Sequence, residues 1–244
     1  MNKTFRNLSI IAAAIVLIAI LVVYAQRHPA PPQQPQGETT MIDVSNEALI
    51  QSVTDSDFPT LQTLLNTGTY DINAMNSKQE TLILIATHNN NVPIAQLLID
   101  KGANVNLQDA ILDSAYLYAG AQGRTEILDY MLRHADIDFS VVNRYGGNTL
   151  IPAAEKGHID AVRLLVADPN IDINFQNNFG YTALIEAVAL TDGSEVFQEI
   201  VQVLVDHGAD TNLRDNSGKT ALDYAQERQF ATMIAILQST KKDI

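Results

Sequence analysis

The chain repeats itself every 33 to 38 residues, and that periodicity limits its fold more than any other feature. Thr81-Leu82-Ile83-Leu84-Ile85-Ala86 is echoed by Ser114-Ala115-Tyr116-Leu117-Tyr118-Ala119, then by Asn148-Thr149-Leu150-Ile151-Pro152-Ala153-Ala154, Thr182-Ala183-Leu184-Ile185-Glu186-Ala187 and Thr220-Ala221-Leu222-Asp223-Tyr224-Ala225. Successive starts lie 33, 34, 34 and 38 residues apart. The first four of these five motifs are each followed by a second apolar stretch: Ala95-Gln96-Leu97-Leu98-Ile99, Leu128-Asp129-Tyr130-Met131-Leu132, Val162-Arg163-Leu164-Leu165-Val166 and Val201-Gln202-Val203-Leu204-Val205. A unit of this size cannot bury its apolar face alone and must stack on its neighbours, so the expected fold is an all-α solenoid of helix pairs. The small alanine inside each first helix lets neighbouring helices approach closely, and the Leu/Val/Ile row of each second helix fills the layer between units, with Leu164 expected in that layer. Thr81, Ser114, Thr182 and Thr220 stand where hydroxyls can cap a helix start, and Gly102 and Gly208 stand just past helix ends.

Gly102-Ala103-Asn104-Val105-Asn106, Gly208-Ala209-Asp210-Thr211-Asn212, Gly157-His158 before Ile159, and Asp215-Asn216-Ser217-Gly218-Lys219-Thr220-Ala221-Leu222 carry a resemblance. Over residues 44–240 the chain is similar to ankyrin-repeat proteins, whose unit is a turn and two antiparallel helices. The resemblance implies six helix-turn-helix repeats, near 44–76, 77–109, 110–142, 143–176, 177–214 and 215–240. The first unit is degenerate, with Ala48 where a threonine is expected, and the last ends in the polar Gln226-Glu227-Arg228-Gln229, as terminal caps do. Other departures are Leu112 in place of a turn glycine, about five extra residues around Thr191-Asp192-Gly193-Ser194, and Leu84, Leu117, Ile151, Ile185 and Asp223 where the family commonly has histidine.

No constellation for chemistry emerges. The five histidines lack a second histidine at ligand spacing, and there are no cysteines. Phosphate-loop and nucleophile-elbow motifs are missing as well, so neither a cofactor, a metal nor catalysis is expected. His158 reads as structural, and Asp136-Ile137-Asp138 and Asp172-Ile173-Asn174 as turns closing a repeat. What remains is surface. In the family the hairpin tips and the exposed starts of the first helices line a concave protein-binding face. Residue by residue, the resemblance implies that this face holds Lys78 and Glu80, then Ile111, Leu112 and Asp113, then Arg144 and Tyr145, then Asn178, Phe179 and Tyr181, and finally Asn216 and Lys219. Large apolar groups at three successive tips suit anchors for a protein partner. The solenoid itself is expected to be monomeric.

The N-terminus differs. From Asn7 to Gln26 no residue is charged, and an apolar run over 8–25 follows Lys3 and Arg6. A helix of this length spans a bilayer core about 30 Å thick, and the positive-inside rule keeps residues 1–7 in the cytoplasm. Val23-Tyr24-Ala25 also forms a signal-peptide cleavage site, so a single-pass inner-membrane anchor and a cleaved signal are both compatible. Either reading puts the solenoid on the periplasmic side, behind a Pro/Gln-rich linker at 26–43; residues 241–244 form a short tail. All 28 acidic residues lie beyond His28, against 12 basic ones, giving that part a net charge of -16. Such a field repels nucleic acid and anionic lipid. The function expected is non-catalytic binding of a protein such as a periplasmic enzyme or a toxin, with a scaffold organising membrane complexes as the alternative.

Overall fold

The computed structural model describes residues 42–239. The apolar run and all but the last two residues of the linker lie outside that range, and no described helix is long and apolar enough to cross a membrane. Among the described residues, twelve helices form six consecutive pairs. The first helices are α1 (Asn46–Thr54), α3 (Leu82–His88), α5 (Ala115–Ala121), α7 (Leu150–Glu155), α9 (Ala183–Ala189) and α11 (Ala221–Glu227). The second helices are α2 (Phe58–Thr67), α4 (Val92–Asp100), α6 (Thr125–His134), α8 (Ile159–Ala167), α10 (Glu195–Asp206) and α12 (Ala231–Ser239). Each helix packs on its pair mate and on its equivalents in adjacent units, so the solenoid has a row of first helices and a row of second helices. At its leading edge, strand β1 (Ile42–Asp43) pairs in parallel with β2 (Gly68–Thr69), Ile42 opposite Gly68.

The helix starts follow the hydroxyl pattern. Thr81, Ser114 and Thr182 accept hydrogen bonds from the backbone N–H of Leu84, Leu117 and Ile185. Thr220 does the same for Asp223, whose carboxylate accepts in return from the Thr220 N–H to complete a capping box. In the fourth unit Asn148 takes this role, its Oδ1 accepting from Leu150 and Ile151. The first unit departs from the expected register. Alanine has no acceptor, and Ser45, three residues earlier, caps α1 by accepting from the Ala48 N–H. Ala48 therefore sits inside the first turn, and the caps Ser45 and Thr81 are 36 residues apart.

The layers pack as the repeat requires. Ala86, Ala119, Ala153, Ala187 and Ala225 have no exposed surface, nor do Leu98, Leu128, Leu165 and Leu204 of the second row. Leu164 is only partly buried: on α8 the inward face carries Ala161, Val162 and Leu165, and Leu164 is rotated off it. Leu84, Leu117, Ile151 and Ile185, which replace the family histidine, are buried, so apolar packing fills those sites. Units are also stitched at the ends of first helices. Asn89 donates to the carbonyls of Val53 and Thr54, Arg124 to that of His88, and Arg228 to that of Ala189. These are the carbonyls a helix leaves without an internal partner. Gly102 and Gly208 follow α4 and α10 with φ of +85° and +89°.

The extra residues of the fifth unit divide between two places. Its helix-end cap Leu190 and the next cap Ser194 are four positions apart, where the fourth unit has Lys156 and His158 only two apart. The rest lengthen α10 to 12 residues against 9 in α8.

Candidate protein-binding groove

Five hairpin tips, numbered second to sixth by the unit each opens, precede the first helices of units two to six, and one polar side chain builds each of them. Asn76, Asp109, Asn143, Asn177 and Asp215 each turn Oδ1 inward to accept the N–H groups two and four residues ahead, at 2.9 to 3.0 Å. The fourth tip position is left-handed throughout, with Gln79, Leu112, Gly146, Gly180 and Gly218 at φ between +62° and +82°. Leu112 thus holds a conformation that favours glycine, kept there by the Asp109 grip on both sides of it. Neighbouring tips are joined by rungs from Ala110 N–H to Lys78, Asn178 N–H to Tyr145 and Asn216 N–H to Phe179. Among the described residues the equivalent rung from Arg144 to Ile111 is not formed, and the Arg144 side chain bridges that gap to Asp113 at 3.5 Å.

Beside this gap lies a groove of about 520 Å³ between the tips and the first helices of units three to five. Arg144 and Tyr145 form one wall, the guanidinium 5.0 Å from the ring centroid, and Phe179 and Tyr181 form another, with centroids 6.2 Å apart. Tyr118, Pro152, Glu155 and Glu186 line it from the first-helix row. Tyr145 and Phe179 are 51% and 54% exposed. Glu186 is only 6% exposed, and its Oε1 accepts from the Asn177 side-chain amide at 2.8 Å. Burial, joined by the nearby Glu155 carboxylate, pushes the Glu186 pKa up to about 7, against the pull of the Asn177 hydrogen bond.

Of the residues expected on the binding face, Asp113, Arg144, Tyr145, Phe179 and Tyr181 converge on the groove. Tyr181 is half-buried, and its hydroxyl lies 3.4 Å from that of Tyr224. Ile111 and Leu112 are exposed on the third tip, outside the groove lining. Lys78 lies on the second tip, where Glu80 accepts from the Asn76 amide and faces His88. Asn178 belongs to the fifth tip, Asn216 donates to its carbonyl, and Lys219 pairs with Glu227 at the far end of the row. His158 packs against Gly123 of the preceding unit, where a β-carbon would come within 2.6 Å of Nδ1; burial lowers its pKa. Asp138 and Asp172 accept from backbone N–H groups two residues ahead, as closing turns do.

Sequence reasoning missed the groove floor. Glu186 occupies the phase held by Ile85, Tyr118, Pro152 and Tyr224 in other units, and a carboxylate in that uncharged row is the signal that was available.

Comparison with known proteins agrees with this architecture. The family model described as Ankyrin repeats (3 copies) matches residues 111–177 and 150–244, and Ankyrin repeats (many copies) matches 48–99. The ankyrin repeat protein YahD of Escherichia coli (strain K12) is 38% identical over 74% of this chain and 89% of its own length. The crystal structure of the ankyrin repeat protein EF0377 superposes with a TM-score of 0.79 at 51% identity, over 80% of this chain and 98% of that one. A chain of the Bdellovibrio bacteriovorus predatory endopeptidase Bd0816 in complex with immunity protein Bd3460 shares the fold at 24% identity and a TM-score of 0.65, over 82% of this chain and 100% of that one. Repeat phase, caps, tips and family match together make this chain a member of the ankyrin repeat family.

Proposed function

We propose that the chain is a non-catalytic binding module that docks a protein partner in the groove between its third and fifth tips, on the extracytoplasmic side of the inner membrane. The observation that carries this reading is the pair of half-exposed rings, Tyr145 and Phe179, at adjacent tips over a groove edged by charged and polar side chains. Aromatic anchors with a polar surround are where binding energy concentrates. The acidic solenoid suits a basic partner, through faster encounter and rejection of acidic competitors. The Bdellovibrio complex supports a partnering role of the inhibitor or immunity kind, and Lys3, Arg6 and the apolar run support export. Capture of envelope proteins on the full-length chain tests the docking. A Tyr145→Ala/Phe179→Ala variant folds with unchanged helicity and loses the partner, each anchor costing about 2 kcal/mol or roughly 30-fold in affinity. Undiminished capture by this variant would move the binding surface elsewhere, with Arg163, Gln202 and the Asp192 loop on the opposite face the next to test.

A further inference from the structure

The groove contains three carboxylates, of which one already has its cation. Asp113 faces Arg144, whose guanidinium in turn lies over the Tyr145 ring. The Glu155 carboxylate stands close enough to disfavour the charged form of Glu186, and among the described residues neither has a lysine, arginine or histidine nitrogen within ion-pair distance. Lys156 lines the same groove and reaches neither of them. From the following unit, Tyr224 faces the Tyr181 hydroxyl and Arg228 is spent on the Ala189 carbonyl. Only one oxygen of Glu186 is hydrogen-bonded within the protein, by Asn177; the other has no such partner. A buried carboxylate without a counter-charge costs the fold, and an apolar side chain in the same phase, such as Ile85 in the second unit, carries no such cost. Carboxylates kept at a cost inside a cleft are characteristic of binding sites.

We propose that the groove takes up a cationic side chain, arginine or lysine, from the docked partner, with Glu186 and Glu155 as its counter-charges and the rings of Phe179 and Tyr181 as its walls. The inference rests on the reading that this groove docks a protein, and it names the chemistry of the anchor that enters. A guanidinium meets carboxylate oxygens through charge-assisted hydrogen bonds and lies well against aromatic faces, so arginine is favoured over lysine. Binding draws Glu186 into its charged form and is therefore linked to pH.

The test titrates the full-length chain in detergent micelles with acetyl-Gly-Arg-Gly-amide and with its citrulline counterpart, which keeps the shape and lacks the charge. The Asn177 side-chain amide resonance reports the Glu186 environment. At pH 8 the arginine peptide shifts this resonance saturably, and the citrulline peptide binds at least ten-fold more weakly. Glu186→Gln, which retains the Asn177 contact and whose folding is checked by circular dichroism, loses at least ten-fold for the arginine peptide. Lowering the pH to 5.5, where Glu186 takes up its proton, has a similar effect on the unmodified chain. Equal binding of the two peptides, equal binding by the Gln variant, or no shift at all with the arginine peptide overturns the cationic subsite. In each of those cases the Tyr145/Phe179 capture experiment still judges the docking surface by itself.

Discussion

Asn177 links the backbone of a tip to the acid on the groove floor. Its Oδ1 holds the Phe179 and Tyr181 N–H groups, and its Nδ2 donates to Glu186. The tip geometry that displays the aromatic wall and the environment of the buried carboxyl are thus set by one side chain. Glu186 has a consequence for stability with a definite sign. Its pKa stands at about 7 in the fold against an ordinary 4.5, so between those values the folded chain holds a proton that the unfolded chain has released. Stability therefore falls as pH rises from about 4.5 to about 7 and is level beyond, as far as this group governs it. Glu186→Gln removes the penalty: denaturant melts show no difference near pH 4 and a gain of about 1–3 kcal/mol at pH 8. A variant less stable than the parent at pH 8 would mean that the carboxylate is already satisfied in the free protein.

At the scale of elements, the second helices hold the layers together through one face, and α8 makes that face measurable. Leu165 is fully buried and Leu164 only partly so, although they are neighbours in sequence and alike in composition. Leu165→Ala leaves a cavity and costs about 2–5 kcal/mol, whereas Leu164→Ala costs about 1 kcal/mol in the same urea melts. The reverse order would put the helix in the wrong rotation. Most of this architecture was legible in the sequence, because hydroxyl caps, central alanines and left-handed turn positions are each dictated by local chemistry that recurs in phase. The rotation of α8 was not, since Val162-Arg163-Leu164-Leu165-Val166 offers more apolar positions than one face can bury. The shifted start of the first unit was hidden because Ser45 lies outside the common period. The tips and their aromatics were visible as departures from a polar pattern. The groove was not, because its floor comes from the first helices of three successive units, which only the stacking brings together.

At the scale of the molecule, the proposal is that an acidic solenoid is exported and docks its partner in the groove lined by units three to five. The proposed export, with Lys3 and Arg6 kept inside by the positive-inside rule, predicts that alkaline phosphatase fused after Gly37 is active in cells; an inactive fusion paired with an active cytoplasmic reporter at the same junction refutes export. The central claim is that the partner sits in the groove rather than on the second-helix row. A photoreactive amino acid placed in living cells at Tyr145, in the groove, and at Gln202, on the opposite row, tests it most directly. The account predicts a discrete higher-mass adduct from position 145 that disappears when Phe179→Ala is added, and none from position 202. An adduct from position 202 with none from position 145 would contradict it.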